Sequence, residues 1–232
     1  MTTARIIELS HRIVDGDVGY PGLPAPRVRP HTTHAAAAGR YADGSTFEIT
    51  HLSLVANSGT YLDSPAHRFP GRADVADIPL EALVDLPAVV VDWDPTAGRA
   101  ADLPVTPGMA GTAVLLRTGW DTKRGTDAYF SPAPHLSRRA ALALAGVRPV
   151  MVGTDAWNVD DTTTTARPVH TALLDAGILV VEHLTGLQQL PPTGARFNAV
   201  PLAVPGAVSM PVRAWAVLPP GPRDPLRRSP RR

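Results

Sequence analysis

The chain has 232 residues, 44% hydrophobic and 19% charged, with a formal net charge of +1. That size suits one large globular domain or two small ones, and that charge gives no overall field toward nucleic acid or membrane lipid. The absence of cysteine excludes disulfides, thiolate nucleophiles and Cys-based zinc sites.

No apolar run approaches membrane-spanning length, and the first residues have neither the long apolar core nor the cleavage pattern of a leader. A cytoplasmic protein is therefore expected. Proline is abundant and scattered, which favours many short strands joined by rigid turns over a helical bundle.

Residues 6–13 alternate in character and predict a first strand, ending at the turn signal Asp15-Gly16-Asp17. Tyr20-Pro21-Gly22-Leu23-Pro24 is too rich in Pro and Gly for regular structure. Tyr20 there either lines a cavity or covers a loop. His31 and His34 invite a metal reading, but Thr32 and Thr33 predict an extended strand, which sends the two imidazoles to opposite faces. Residues 47–55 alternate as a strand carrying His51, and residues 68–76 are loop-like.

Further on, residues 79–84 predict a short helix with proline in its first turn. Residues 88–91 and 112–118 predict buried strands. Ser137 is the expected N-cap of a helix running to Ala145, with Gly146 just past its end, and residues 147–153 are the next strand. His170 to Ala176 reads as a short helix closed by Gly177, followed by strands over 178–181, 197–204 and 208–217. Helices fall between strands only in the middle of the chain. A mixed α/β domain over residues 1–218 is expected rather than a simple doubly wound sheet. Residues 219–232, rich in Pro and then Arg, predict a disordered tail.

One stretch stands out: Asn57-Ser58-Gly59-Thr60-Tyr61-Leu62-Asp63-Ser64-Pro65-Ala66-His67. Pro65 lacks an N–H and pushes Ser64 toward extended geometry, so Asp63 and His67 meet on a bent loop rather than along a helix. Such loops carry binding and catalytic groups, although Asp and Ser also serve ordinary turns. Neither a dinucleotide-binding glycine motif, a P-loop nor a serine-hydrolase elbow is present, which argues against those chemistries.

A second candidate group lies downstream. Glu182, one of four glutamates, closes an apolar run, where a carboxylate is costly to bury unless it is paired or bound to a cation. His170 opens the helix just before that strand, and a helix–turn–strand unit can bring the two ends together. Asp155, Asp160 and Asp161 lie in the threonine-rich loop upstream. Asp63, His67, His170 and Glu182 make a set competent for metal-assisted or acid/base attack on a carbonyl. In the plainer reading Glu182 pairs with an arginine and His170 caps its helix.

The chain resembles the cyclase family that includes bacterial kynurenine formamidase and isatin hydrolase. Along the family signature H-x-G-T-H-x-D-x-P-x-H, this chain matches at Gly59, Thr60, Asp63, Pro65 and His67 and has Asn57 and Tyr61 at the first two histidine positions. Arg167-Pro168-Val169-His170 and Val181-Glu182-His183-Leu184-Thr185-Gly186-Leu187 are similar to the family's downstream elements. Tyr20-Pro21-Gly22, Thr118-Gly119-Trp120 and Gly153-Thr154-Asp155 also resemble family features, so the likeness spans residues 7–217.

The resemblance implies a swivelling β/β/α fold, a homodimer or homotetramer, and hydrolysis of a formamide or cyclic amide with a divalent metal. It makes His67 the proton shuttle and Asp63, His170 and Glu182 the metal ligands. Asn57 and Tyr61 stand where the first two metal-binding histidines belong, as in a variant subgroup, and neither side chain replaces imidazole for a transition metal. One divalent ion, Zn or Mn, is therefore expected, or none. In the metal-free case Asp63 orients His67, while Tyr61 and Asn57 donate hydrogen bonds to a developing oxyanion.

The expected function is hydrolysis of an amide C–N bond in a small aromatic or cyclic substrate. Metal-free ring closure in secondary metabolism is the alternative. A non-catalytic binding protein is a third reading, against which retention of all four groups argues. Tyr20, Trp120 and Trp157 are the candidate aromatic walls, and the expected partner is a small molecule rather than nucleic acid or membrane.

Overall fold

Successive residues of the central strands point to opposite faces, and here both faces are apolar. Such strands must be covered on both sides, and that requirement sets the architecture. The structure, a computed structural model, describes residues 4–219.

The strands of the first half are β1 (Arg5–Glu8), β2 (Arg27–Thr32), β3 (Ile49–Ser53), β4 (Tyr61–Asp63), β5 (Leu86–Asp92) and β6 (Ala100–Ala101). Those of the second half are β7 (Ala113–Arg117), β8 (His135–Leu136), β9 (Met151–Thr154), β10 (Leu179–Glu182), β11 (Thr193–Pro201) and β12 (Ser209–Leu218). The α-helices are α1 (His34–Ala37), α2 (Arg138–Val147) and α3 (Pro168–Asp175).

Eight strands form one sheet in the order β1-β12-β11-β5-β7-β9-β10-β4, and β4 also pairs with β12. The sheet thus closes on itself, through a strand of only three residues. The run β5, β7, β9, β10 is parallel, and the remaining pairings are antiparallel. β2 and β3 form a separate two-stranded ribbon.

Alternate residues feed two cores. Leu115, Met151 and Val181 point inward with Leu62, Ala88, Phe197 and Ala214. Their neighbours Val114, Leu116, Val152 and Val180 point outward, against Leu144 of α2 and Leu173 and Leu174 of α3. The interior is close-packed at Gly153 of β9. A Cβ there would lie 2.7 Å from Leu184 Cδ1 and 2.9 Å from Leu115 Cδ2, so only glycine fits without a shift.

The mixed α/β class is as expected, with several local differences. The first strand ends at Glu8, and Ser10 beyond it makes a single bridge to Leu184. Residues 79–84 form only a 3₁₀ turn at Leu80–Ala82. Ser137 caps α2 as expected, its hydroxyl accepting from the Ala140 N–H. The helix, however, runs through Gly146 to Val147 and stops where Arg148 turns left-handed at φ 60. Gly146 costs helix stability without ending the helix. His34 opens α1, capped by Thr33, rather than continuing the strand. The expected tail lies outside the described residues, apart from Pro219.

Candidate active site

The site is built where β4 closes the barrel. Tyr61 and Asp63 are two apart in an extended strand and so share a face. β4 lies between β10 and β12, which sets Tyr61 opposite Glu182 and Asp63 opposite Ser209. Ser64 is extended (φ −91, ψ 167), and Pro65 opens a 3₁₀ turn at Pro65–His67. That bend, predicted from the proline, returns His67 Nδ1 to 3.6 Å from Asp63 Oδ1.

α3 brings in His170 from the other side. Asp160 accepts the N–H groups of Val169 and His170 at the start of that helix and faces His170 Nδ1 at 2.6 Å. This grip fixes the ring, because the first helical N–H groups have no partner within their own helix. His170 Nε2 then stands 3.5 Å from Asp63 Oδ2 and 3.4 Å from Glu182 Oε1.

The remaining polar atoms are closely engaged. Ser209 donates to Asp63 Oδ1 at 2.5 Å and lies 3.1 Å from His67 Nδ1. With its proton directed at the carboxylate, Ser209 accepts from His67 Nδ1–H, which leaves the Nε2 lone pair as the base. Glu182 Oε1 accepts the Val159 N–H at 2.7 Å, and Oε2 accepts the Tyr61 hydroxyl at 2.5 Å. Asp63 Oδ2 is buried with no hydrogen-bond partner.

Burial governs the protonation of these groups. Burial pushes the Glu182 carboxyl up to about 7 and the Tyr61 phenol well above its ordinary value. Burial opposes charge on His170, but Glu182, Asp160 and Asp63 around the ring outweigh it and raise the group to about 10. Burial lowers His67 below 6.5, and Asp63 only partly offsets this. His67 keeps 31% side-chain exposure against 1% for Asp63, so it is the member a solute can reach.

These groups floor a cavity of about 260 Å³, together with Asn57, whose amide lies beside the Tyr61 hydroxyl. Tyr20, Leu23, Asn158, Arg68 and Arg167 form its walls. The structure thus gathers Asn57, Tyr61, Asp63, His67, His170, Glu182 and Tyr20 from the sequence reading. It does not place Trp120 or Trp157 on the wall. Trp157 packs behind Tyr20, with ring centroids 5.2 Å apart, and its Nε1 donates to Ser131 O. Trp120 is tied to Tyr129 O in the same buried aromatic cluster. Both indole N–H groups find backbone acceptors, and this draws the rings inward.

Ser209 and Arg68 were not singled out by sequence, Arg167 was noted only as the first residue of the element around His170, and Asp160 was noted without a partner. Asp155 faces away from this site, accepting from Thr118 and Gly119. Among the described residues, Asp63, His67 and His170 offer donor atoms all within 4.8 Å of one another. Those donors, with the orphaned Asp63 Oδ2 and an imidazole oriented by Asp160, fit a divalent cation. Glu182, expected as a ligand, has both oxygens hydrogen-bonded to the protein.

Comparison with known proteins gives a consistent result. The Cyclase family profile matches residues 7–161. The kynurenine formamidase of Salinibacter ruber is 36% identical over 207 residues, covering 85% of this chain and 94% of that protein. The isatin hydrolase of Roseibium aggregatum is 26% identical over 207 residues, 77% of this chain and 78% of its own. In three dimensions, isatin hydrolase A from Labrenzia aggregata, solved with benzyl benzoate, superposes with a TM-score of 0.77 at 24% identity, covering 93% of this chain and 94% of that one. This last likeness establishes the fold, the swivelling β/β/α arrangement expected from the resemblance.

Proposed function

The chain belongs to the Cyclase family, and from that membership we propose that it is an enzyme hydrolysing an amide C–N bond in a small aromatic or cyclic substrate. The observation that carries this reading is the convergence of Asp63, His67, His170 and Glu182 on the floor of one small cavity.

His67 acts as general acid/base. Lowered by burial, it is neutral at neutral pH, and Ser209 holds its Nδ1 side. Its other nitrogen takes the proton of the attacking water and returns it to the leaving nitrogen. Asp63, held by Ser209, faces the imidazolium that forms.

Asp63 and His170 would hold one divalent ion, Zn or Mn, with His67 the third donor within reach. When bound, such an ion polarises the carbonyl and lowers the pKa of water. Ligation and base catalysis by His67 exclude one another, and we assign it the base.

A second reading, metal-free ring closure in secondary metabolism, is favoured by one feature. Tyr61 and Asn57 occupy the floor where the family signature has imidazoles, and the Tyr61 hydroxyl is already committed to Glu182.

Formanilide and isatin as substrates, combined with metal analysis of protein purified without chelator, test the assignment. Turnover of either is expected to fall at least about 100-fold in His67→Ala. The ion should persist in that variant and disappear in Asp63→Asn. A wild-type protein that cleaves neither of these nor the carboxylate-bearing 2-formamidobenzoate overturns the hydrolytic reading, and loss of metal in His67→Ala makes His67 a ligand.

We further propose a cytoplasmic homodimer or homotetramer. No described helix is long and apolar enough to cross a membrane. The β2–β3 ribbon exposes Val28, Ile49 and Leu52, apolar surface that a second copy would cover. Light scattering at micromolar concentration decides the oligomeric state.

A further inference from the structure

We propose that Arg167 and Arg68 form a carboxylate-binding subsite at the wall of the cavity, so that the substrate of the hydrolysis proposed above is an anion. The inference rests on that reading for the reaction, but not for the binding.

Arg167 is unusual in how it is held. Its Nη1 donates to the carbonyls of Thr164 and Ala166, both at 2.7 Å, and to that of Asp161 at 3.3 Å. These three acceptors belong to the loop leading into α3, and they use one nitrogen only. The guanidinium also reaches the Tyr20 hydroxyl, and Arg167 lines the cavity beside it. A guanidinium fixed in this way loses little rotamer freedom when it binds a ligand.

Its charge, moreover, is unanswered. Of the sixteen arginines among the described residues, seven are ion-paired with carboxylates: Arg72, Arg99, Arg117, Arg124, Arg139, Arg196 and Arg213. Arg167 and Arg68, which both line the cavity, make no such pair among those residues. The two are physically connected. Arg68 Nη2 donates to Thr171 Oγ1 at 3.2 Å, and that hydroxyl donates to Arg167 O at 2.7 Å. Both therefore sit at the start of α3 and line the same cavity.

The cavity therefore carries groups of both signs. Asp63 and Glu182 line it together with Arg68 and Arg167. An anionic substituent is drawn to these arginines, whose fork can take a carboxylate in two parallel hydrogen bonds. This leaves a neutral amide carbonyl to face His67. With about 260 Å³ available, the substrate is a small one, of the size of a single substituted ring.

The test uses a matched pair of formamides, formanilide and 2-formamidobenzoate, on the full-length protein. Wild type is expected to prefer the carboxylate by at least about tenfold in kcat/KM. In Arg167→Gln that preference should fall toward unity, in Arg167→Lys it should be partly retained, and Arg68→Gln should reduce it by a smaller factor. A purely structural role for Arg167 would slow both substrates equally and leave the ratio intact, which overturns the proposal, as does a wild-type ratio near one.

Benzoate and benzamide, titrated calorimetrically into the same proteins, provide a readout that needs no turnover. Benzoate affinity should drop about tenfold or more in Arg167→Gln, with benzamide affinity changing much less. If neither formamide is cleaved but benzoate binding still depends on Arg167, the subsite stands and the hydrolytic reading fails. If benzoate binds equally well to Arg167→Gln, its carboxylate is held elsewhere and the subsite is refuted.

Discussion

The phenol of Tyr61 donates to Glu182 Oε2 at 2.5 Å, joining two buried residues that face each other across β4 and β10. It gives the Glu182 carboxylate a fixed donor, with both residues about 1% exposed. Tyr61→Phe removes that donor and leaves a buried oxygen unsatisfied, at a cost of about 1–3 kcal/mol. A lower urea midpoint with unchanged m-value is expected. Turnover should fall as well, since the Glu182 carboxyl, already up at about 7, is driven higher. An unchanged midpoint would mean that the hydroxyl contributes nothing to the floor.

Ser209 touches both Asp63 and His67 and acts through them. Ser209→Ala should lower kcat by about tenfold, the scale of one positioning hydrogen bond to a charged group, with KM little altered. Ser209→Thr, which keeps the hydroxyl, should recover much of the loss. Equal activity in wild type and Ser209→Ala would remove Ser209 from the relay.

Two pH dependences follow from opposite shifts. His67 must be neutral to act as a base, and burial lowers it below 6.5, so kcat/KM should rise with pH to a plateau already reached near neutrality. For His170 the folded value is raised from 6.5 to about 10 by Glu182, Asp160 and Asp63. Its stabilising effect is thus complete below 6.5 and is lost as pH climbs through about 10. In chelator-treated protein, denaturation midpoints should decline from pH 7 to pH 10, and His170→Asn should flatten that decline. A midpoint flat over the same range would show that the imidazole is buried neutral.

Gly153→Ala should destabilise the fold by about 1–3 kcal/mol, the usual cost of overpacking. The added methyl meets the fully buried Leu184 and Leu115 inside the barrel. Urea denaturation measures this directly. A neutral effect would imply that the barrel interior yields more easily than its packing suggests.

The candidate site was legible in sequence where its chemistry is local or conspicuous. Asp63 and His67 share one short motif, and Pro65 between them dictates a bend that the structure contains. Glu182 stood out as a carboxylate closing an apolar run, and His170 as the residue opening the helix just before it. Ser209 gave no such signal. It lies 146 residues from Asp63, and only the pairing of β12 with β4 brings the two together. Arg167 sits beside the legible His170, but an isolated arginine says nothing about which way its fork points. Trp120 and Trp157 were read as walls because aromatic residues often line cavities. Backbone acceptors for their indole N–H groups, invisible in sequence, direct them elsewhere. In the fold, strand composition was clear, whereas Gly146 looked like a helix end and lies inside α2.

A strand of three residues closes the barrel, and two of those residues belong to the candidate active site. Architecture and chemistry thus share a single narrow seam. If β4 parts from either neighbour, the ring opens and the catalytic groups separate in the same event. Heat inactivation should consequently keep step with global unfolding instead of preceding it, and enzymatic rate becomes a direct gauge of whether the ring is shut.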